Sequence, residues 1–505
     1  SLFLLPLKIK LNNIMTSSGQ AGTNTGYIIF LSVASAIGGI LFGYDTAVIS
    51  GTIGSVTQQF SLDTMQQGWY VGCALIGSII GAIFAGSLSD SIGRKKTMLI
   101  AATLFSICAL GCAACSSFVQ LVCFRITGGI GIGIVSIVAP IYISEVATAD
   151  KRGTLVSLYQ LAITIGFLAA YLVNFLIQDA AHSAAYTPGM LQHILQDEMW
   201  RGMLGSMIIP ALLYLTVIFF IPESPRWQIV KGYGEKAAAT LSRIYNSASS
   251  AQEQIRLTRE SIAGEARSEW KALLQPGILK AVIIGSAIAI LGQFMGVNAV
   301  LYYGPTIFEQ AGLSSGDSMF SQVLVGAVNM ATTVIAVFII DKVGRKKLVY
   351  WGVSGMILSL LMIGLYFSFS GSWGLGNGFL LVFFLFYVFC CAISISAVVF
   401  VLLSEMYPNS VRGRAMSVAG LVLWVGTYLI GQLTPWMLET LTPAGTFFLF
   451  AILFLMFDIE TVFLFPWATV VEEIGVYALV SISFFLVVLI LGLAYAWKKG
   501  ALKWE

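Results

Sequence analysis

Apolar runs of about 20 residues recur along this chain, separated by short polar loops. They occupy residues 27–50, 68–88, 97–116, 119–141, 154–177, 203–221, 278–303, 319–340, 348–370, 378–403, 415–437, 444–466 and 474–497. A hydrocarbon core of roughly 30 Å is crossed by about 20 apolar residues in a helix, so the pattern predicts twelve membrane helices plus one. Runs this long exclude a transmembrane β-barrel. Segment seven is interrupted by Gly292-Gln293-Phe294-Met295-Gly296-Val297-Asn298, then by Tyr302-Tyr303-Gly304-Pro305. Irregular backbone at membrane depth is tolerated where it lines a cavity. The longest hydrophilic stretch opens with Pro222-Glu223-Ser224-Pro225-Arg226 and carries two charged helix-forming stretches, Glu235–Tyr245 and Ala251–Glu269. The predicted organisation is a disordered tail (1–25), a six-helix bundle (26–221), cytoplasmic linker helices (222–277), a second bundle (278–450) and a two-helix tail (451–505).

Composition agrees with the pattern. Of 505 residues, 58% are hydrophobic and only 10% charged, too few charges for a soluble domain of this size. Twenty-two of the 27 Lys and Arg residues lie in the N-terminal tail and in alternate loops (89–97, 145–153, 222–280, 341–347 and 404–414); the intervening loops carry only Arg201. Basic residues mark the cytoplasmic side, which places the N-terminus in the cytoplasm of a multi-pass protein of the cell membrane. This bias explains the net charge of +3 and gives no reason to expect nucleic acid as a partner. The seven cysteines all fall in apolar segments. Cys108, Cys112 and Cys115 share a helical face, but no His or carboxylate accompanies them, so no metal and no disulfide framework is expected. His182 and His193 read as solvated outer-loop residues. There is no nucleophile–base set, nucleotide loop or cofactor motif, which argues against an enzyme.

Two charged motifs each occur twice. Asp90-Ser91-Ile92-Gly93-Arg94-Lys95-Lys96 returns as Asp341-Lys342-Val343-Gly344-Arg345-Lys346-Lys347. Ser144-Glu145, then Arg152-Gly153, returns as Ser404-Glu405, then Arg412-Gly413. A chain that repeats its cytoplasmic loops has two related halves, the plan of many transporters. Arg94 and its lysines can meet helix C-terminal carbonyls, and Asp90 favours a helix N-terminus. Glu145 with Arg152, and Glu405 with Arg412, are expected to bridge helix ends. Together, Asp90, Arg94, Glu145, Arg152, Asp341, Arg345, Glu405 and Arg412 form candidate cytoplasmic latches for the outward-open state.

Charges at membrane depth cost about 2.5–3.5 kcal/mol even on translocon scales, so those present call for a reason. Asp45 lies in segment one and Arg125 in segment four, where the two can pair. Burial favours the neutral carboxyl and a neighbouring guanidinium the charged one; that balance makes a proton-binding group. A static ion pair that orders the half is the other reading. Gln160, Gln293, Asn298, Asn329 and Trp424 also stand at helix centres. Amides plus an aromatic face suit a hydroxylated solute, and hydrogen bonding between helices suits any one of them.

These residues resemble the sugar porter family of the major facilitator superfamily over about residues 26–450. The resemblance rests on the repeated Asp-x-x-Gly-Arg-Lys loops, Pro-Glu-Ser-Pro-Arg, Gln293-Phe-x-Gly-x-Asn298-x-x-x-Tyr302-Tyr303 and the Glu-x6-Arg-Gly pairs. It implies an all-α polytopic major facilitator fold of two six-helix bundles, here with one extra C-terminal helix. It further implies alternating access, a lipid-embedded monomer and a monosaccharide site. Similarity to proton-linked pentose and hexose symporters implies Asp45 and Arg125 as the proton-coupling pair. It implies sugar contacts at Gln160, Gln293, Asn298, Asn329, Trp424 and Phe400, and an outer gate at Tyr302 and Tyr303. Facilitated diffusion and sugar sensing are the alternatives.

The chain departs from that family in two ways. Phe167, Gly292, Ser396-Ala397-Val398-Val399-Phe400 and Leu423 stand where relatives carry amides or a Gly-Pro and Trp, which points to a less hydroxylated or bulkier substrate. After about Ala451, Phe454-Leu-Met-Phe-Asp458-Ile-Glu460 and the closing Trp497-Lys-Lys resemble the last two helices of a small membrane component of proton-pumping NADH:quinone oxidoreductase. That implies a hybrid chain.

Overall fold

The computed structural model describes residues 23–148, 150–183, 189, 192–264, 273–343, 345–396, 406–407 and 411–453. Among these the chain is helical, with no strand. The helices are α1 (Thr25–Val48), α2 (Ile53–Phe60), α3 (Thr64–Ile92), α4 (Arg94–Ala114), α5 (Phe118–Val146), α6 (Arg152–Ser183), α7 (Met199–Gly205), α8 (Ile208–Phe220), α9 (Pro225–Val230), α10 (Gly234–Tyr245), α11 (Ala248–Gly264), α12 (Pro276–Leu291), α13 (Val297–Gln310), α14 (Ser315–Val343), α15 (Arg345–Trp373), α16 (Asn377–Ile393), α17 (Arg412–Thr440) and α18 (Thr442–Leu453). Among the described residues nine helical spans are long and apolar enough to cross a membrane, and three further apolar helices are shorter. The shorter ones fall in segments seven, ten and twelve. The predicted tail 1–25 up to residue 22, most of segment twelve with Asp458 and Glu460, and segment thirteen lie outside the described residues.

The chain forms two compact units. The first contains the chain up to Asp45, then Gly77–Phe167 and Gly205–Arg267. Its helices meet through glycines. A Cβ on Gly43 would overlap the Ile163 carbonyl, and one on Gly166 would overlap the Ile40 carbonyl, so α1 and α6 touch backbone to backbone. The Gly128–Gly133 run fits the small-residue expectation: Gly133 faces the Ser78 carbonyl on α3, while Gly131 faces Ala101 and Phe105 on α4. The linker begins on a helix-start signature. Ser224 caps α9 by accepting the Trp227 N–H at 3.3 Å, with Pro225 at the first helical position.

The second unit contains Thr46–Ile76, Leu168–Leu204 and the chain from Ser268 onward. Segment seven breaks at the first of its two expected interruptions; at the second, Tyr302–Pro305, α13 runs on as helix from Val297 to Gln310. α12 stops at Leu291, and α13 restarts after Gly296, whose φ of +84° disfavours a side chain and where an added Cβ would come within 2.7 Å of the Phe450 ring. The Tyr387 hydroxyl donates to the Met295 carbonyl inside the break at 2.7 Å. Two more carbonyls are freed by prolines, which have no N–H to offer the residue four back. Pro305 frees Leu301 O, which accepts from the Tyr171 hydroxyl at 2.8 Å and from Gln322 Nε2 at 3.2 Å. Pro435 frees Gly431 O, which accepts from the Tyr303 hydroxyl at 2.6 Å. Tyr303→Phe keeps the ring but orphans a buried carbonyl. It is expected to lower stability by about 1–3 kcal/mol, read as a fall in melting temperature in detergent.

The same unit joins the early and late parts of the chain. Thr64 donates to the Glu439 carboxylate, Gln432 Nε2 to the Met65 carbonyl at 2.9 Å, and Gln178 Nε2 to Ser315 Oγ at 2.6 Å. Gly68 and Gly72 lie against Gln432 and Tyr428, respectively.

Candidate functional site

Asp45 and Arg125 meet as their positions in segments one and four suggest. Arg125 Nη1 donates to Asp45 Oδ1 at 2.6 Å, and each side chain is only 2% exposed. The α1–α6 glycine contact lies within two residues of Asp45. On α5, Gly128 follows Arg125 on the same face; its missing Cβ leaves the space beside Asp45 Oδ1 and Cys108 Sγ. Cys108 and Cys112 lie 3.8 Å apart behind it.

The first copy of each charged motif folds into one knot, but with different pairings from those expected. Glu145 takes a two-pronged ion pair from Arg94 (Nε to Oε2 3.1 Å, Nη2 to Oε1 3.0 Å) and a hydrogen bond from Ser224 Oγ at 2.5 Å. Arg152 is exposed, so the expected Glu145–Arg152 bridge is replaced by Glu145–Arg94. The planar guanidinium of Arg94, at the start of α4, matches the carboxylate fork. Asp90 pairs with Arg94 at 2.8 Å rather than serving a helix N-terminus. Glu223 does that instead, accepting the Arg94 N–H at 2.8 Å and the Lys95 N–H at 3.1 Å. Contacts with helix-end carbonyls are present as expected: Arg94 Nη1 reaches Ser89 O at 2.9 Å and Lys95 Nζ reaches Phe219 O at 2.8 Å. Glu145→Gln keeps the shape but removes the charge, and is expected to cost about 1.5–3 kcal/mol. Thermal unfolding of the purified chain checks this.

In the second unit, Gln293 sits in the α12–α13 break and Asn298 on the first turn of α13. Asn298 Nδ2 donates to Gln293 Oε1 at 2.8 Å. The Thr427 hydroxyl on α17 reaches the same oxygen at 3.0 Å. Trp424, one turn earlier on α17, is buried. Asn329 is half-buried on α14, with its backbone carbonyl accepting from Thr333. Tyr302 and Tyr303 are both buried on α13. Gln160 is half-buried on the α6 part of the first unit. Phe400, Glu405 and the side chains of Asp341, Arg345 and Arg412 lie outside the described residues.

The roles of four residues escaped the sequence reading, two of them inside the Pro-Glu-Ser-Pro-Arg motif it named. Ser224 carried a usable signal, a serine directly before a proline. Tyr171 could be sought only as a donor for the carbonyl four residues before Pro305. Glu223 and Thr427 carried none, because their roles depend on which helices become neighbours.

The comparisons with known proteins agree with this architecture. Residues 31–474 match the family described as sugar (and other) transporter. The chain is 36% identical over 428 residues to the arabinose-proton symporter of Bacillus subtilis (strain 168), covering 85% of this chain and 89% of that one. It is 35% identical over 451 residues to the glucose transport protein of Synechocystis sp., covering 87% and 94%. Among solved structures, the partially occluded inward-open conformation of the xylose transporter XylE from E. coli superposes with a TM-score of 0.73 at 31% identity, covering 89% of this chain and 98% of that one. A further match is described as a major facilitator superfamily symporter. With the family matched over most of its length and the all-helical architecture shared, this chain belongs to the sugar (and other) transporter family and has the major facilitator fold.

Proposed function

We propose that this protein is a secondary transporter that moves a monosaccharide or sugar-like polyol across the cell membrane, coupled to protons through Asp45. The observation that carries the reading is the Asp45–Arg125 pair, two opposite charges fully buried in membrane-spanning helices. A carboxylate kept at such depth is a functional group by default. Relatives named as arabinose-proton and D-xylose-proton symporters support coupling; one named a glucose transport protein supports a sugar substrate. Gln293, Asn298, Asn329, Trp424, Gln160 and Phe400 are the proposed sugar contacts, and Tyr302 and Tyr303 the outer gate. Both charged-loop copies act as cytoplasmic latches in a monomer of two six-helix bundles, 26–221 and 278–450, joined by the linker 222–277, with its N-terminus inside. Loss of amides at Phe167 and Leu423 favours a substrate with fewer hydroxyls or greater bulk.

The test is uptake of radiolabelled D-glucose, D-xylose and L-arabinose into proteoliposomes, with and without an imposed proton gradient. Gradient-driven accumulation supports symport. Saturable uptake indifferent to the gradient leaves a facilitative uniporter, and binding without counterflow leaves a sensor. The tail 451–505 is proposed as a graft of quinone-reductase type, although the family match runs on to residue 474. Amplification across 440–460 from source DNA tests how the join arose, and one continuous product makes it a fused gene.

A further inference from the structure

We propose that Thr427 is a positioning residue for the sugar site: its hydroxyl fixes which face of the Gln293 amide meets the substrate. This rests on the reading of Gln293 and Asn298 as sugar contacts.

A primary amide offers an acceptor on one side and two donors on the other, and only its hydrogen-bond partners decide which side faces where. Gln293 Oε1 lies 2.8 Å from Asn298 Nδ2 and 3.0 Å from Thr427 Oγ1. The Thr427 hydroxyl also lies 3.0 Å from the Leu423 carbonyl one turn back on α17. That carbonyl already serves the helical ladder, so it does not need the hydroxyl hydrogen. Gln293 Oε1 takes it instead, because a side-chain oxygen has no ladder bond and its second lone pair is free beside the Asn298 N–H. With Oε1 held by two donors, the Gln293 NH2 is left to meet a ligand, and Asn298 Oδ1 is left as an acceptor. Gln293 therefore offers donors, Asn298 an acceptor, and a hydroxyl that both accepts and donates satisfies the pair. The clamp is rigid at both ends. Thr427 is only 5% exposed, and Gly426 beside it packs against Ile290 and Gln293 Cβ, holding α17 against the break. Remove the hydroxyl and the Gln293 and Asn298 amides can turn over together, exchanging donor for acceptor.

The test compares Thr427→Val, which removes the hydroxyl but keeps the shape, with Thr427→Ser, which keeps the hydroxyl. Uptake of the best-transported of labelled D-glucose, D-xylose and L-arabinose is measured in proteoliposomes, with competition by its deoxy and deoxyfluoro analogues. A fluorine can accept a hydrogen bond but a methylene cannot. At the ring position facing Gln293, the deoxyfluoro analogue should therefore compete better than the deoxy analogue with the native chain. In Thr427→Val, KM should rise about 3- to 10-fold at similar kcat, and that analogue preference should collapse. Thr427→Ser should restore both. Native KM and analogue preference in Thr427→Val overturn the inference while leaving the transport reading intact, as does loss of kcat with KM unchanged. Absence of saturable sugar uptake by the native chain overturns both.

Discussion

Asp45→Asn is expected to abolish gradient-driven accumulation of sugar while leaving exchange down a sugar gradient. Asparagine fills the same space and can still accept from Arg125, but it cannot carry a proton and a charge by turns. One pH unit is worth about 1.4 kcal/mol, or a tenfold solute gradient when one proton moves with one sugar; the variant should lose that whole factor. It should also be less stable, because Arg125, only 2% exposed, loses its counter-charge. Breaking a buried pair from one side costs about 3–5 kcal/mol, whereas replacing both partners is often close to neutral. Asp45→Asn combined with Arg125→Leu separates the roles: stability should recover and accumulation should not. If accumulation recovers with stability, the pair is only a structural ion pair.

Gly43→Ala and Gly166→Ala are each expected to deplete folded protein, although each adds a single methyl group. At Gly43 the methyl would strike the Ile163 carbonyl, and at Gly166 the Ile40 carbonyl. Overpacking against side chains typically costs about 1–3 kcal/mol, because they can change rotamer. Backbone in a helix cannot turn aside, so α1 and α6 must separate, which carries Asp45 with them. Size-exclusion profiles and melting temperatures in detergent check the effect. Gly153→Ala is the control, since a Cβ there meets nothing within 4 Å; it should melt with the native chain. Equal behaviour of all three would mean that the two helices do not cross through glycine.

Much of this was legible in the sequence because membrane helices declare themselves. The break in segment seven was readable from Gly292–Asn298, since a glycine beside polar residues cannot be a lipid-facing helix. The Asp45–Arg125 pair was readable because two isolated opposite charges at membrane depth have few alternatives to each other. The partners of Glu145 were not readable. Its spacing to Arg152 is local and regular, but the choice between Arg152 and Arg94 is made by the approach of α4 to α5, at a distance of 51 residues in sequence. Thr427 stayed hidden for a similar reason: a threonine on an apolar helix ordinarily bonds its own backbone, and the Leu423 carbonyl lies within reach of this one too. Only the position of Gln293 opposite it reveals a second use.

The cap that Glu223 places on α4 sets a schedule for the chain's own manufacture. The carboxylate lies 129 residues beyond the Arg94 amide it serves, and ribosomes add about 5–20 residues per second. For on the order of ten seconds, α4 must wait with that end uncapped by Glu223, while α5, α6, α7 and α8 are still being delivered. When Glu223 emerges, it ties the last of these arrivals to the first loop.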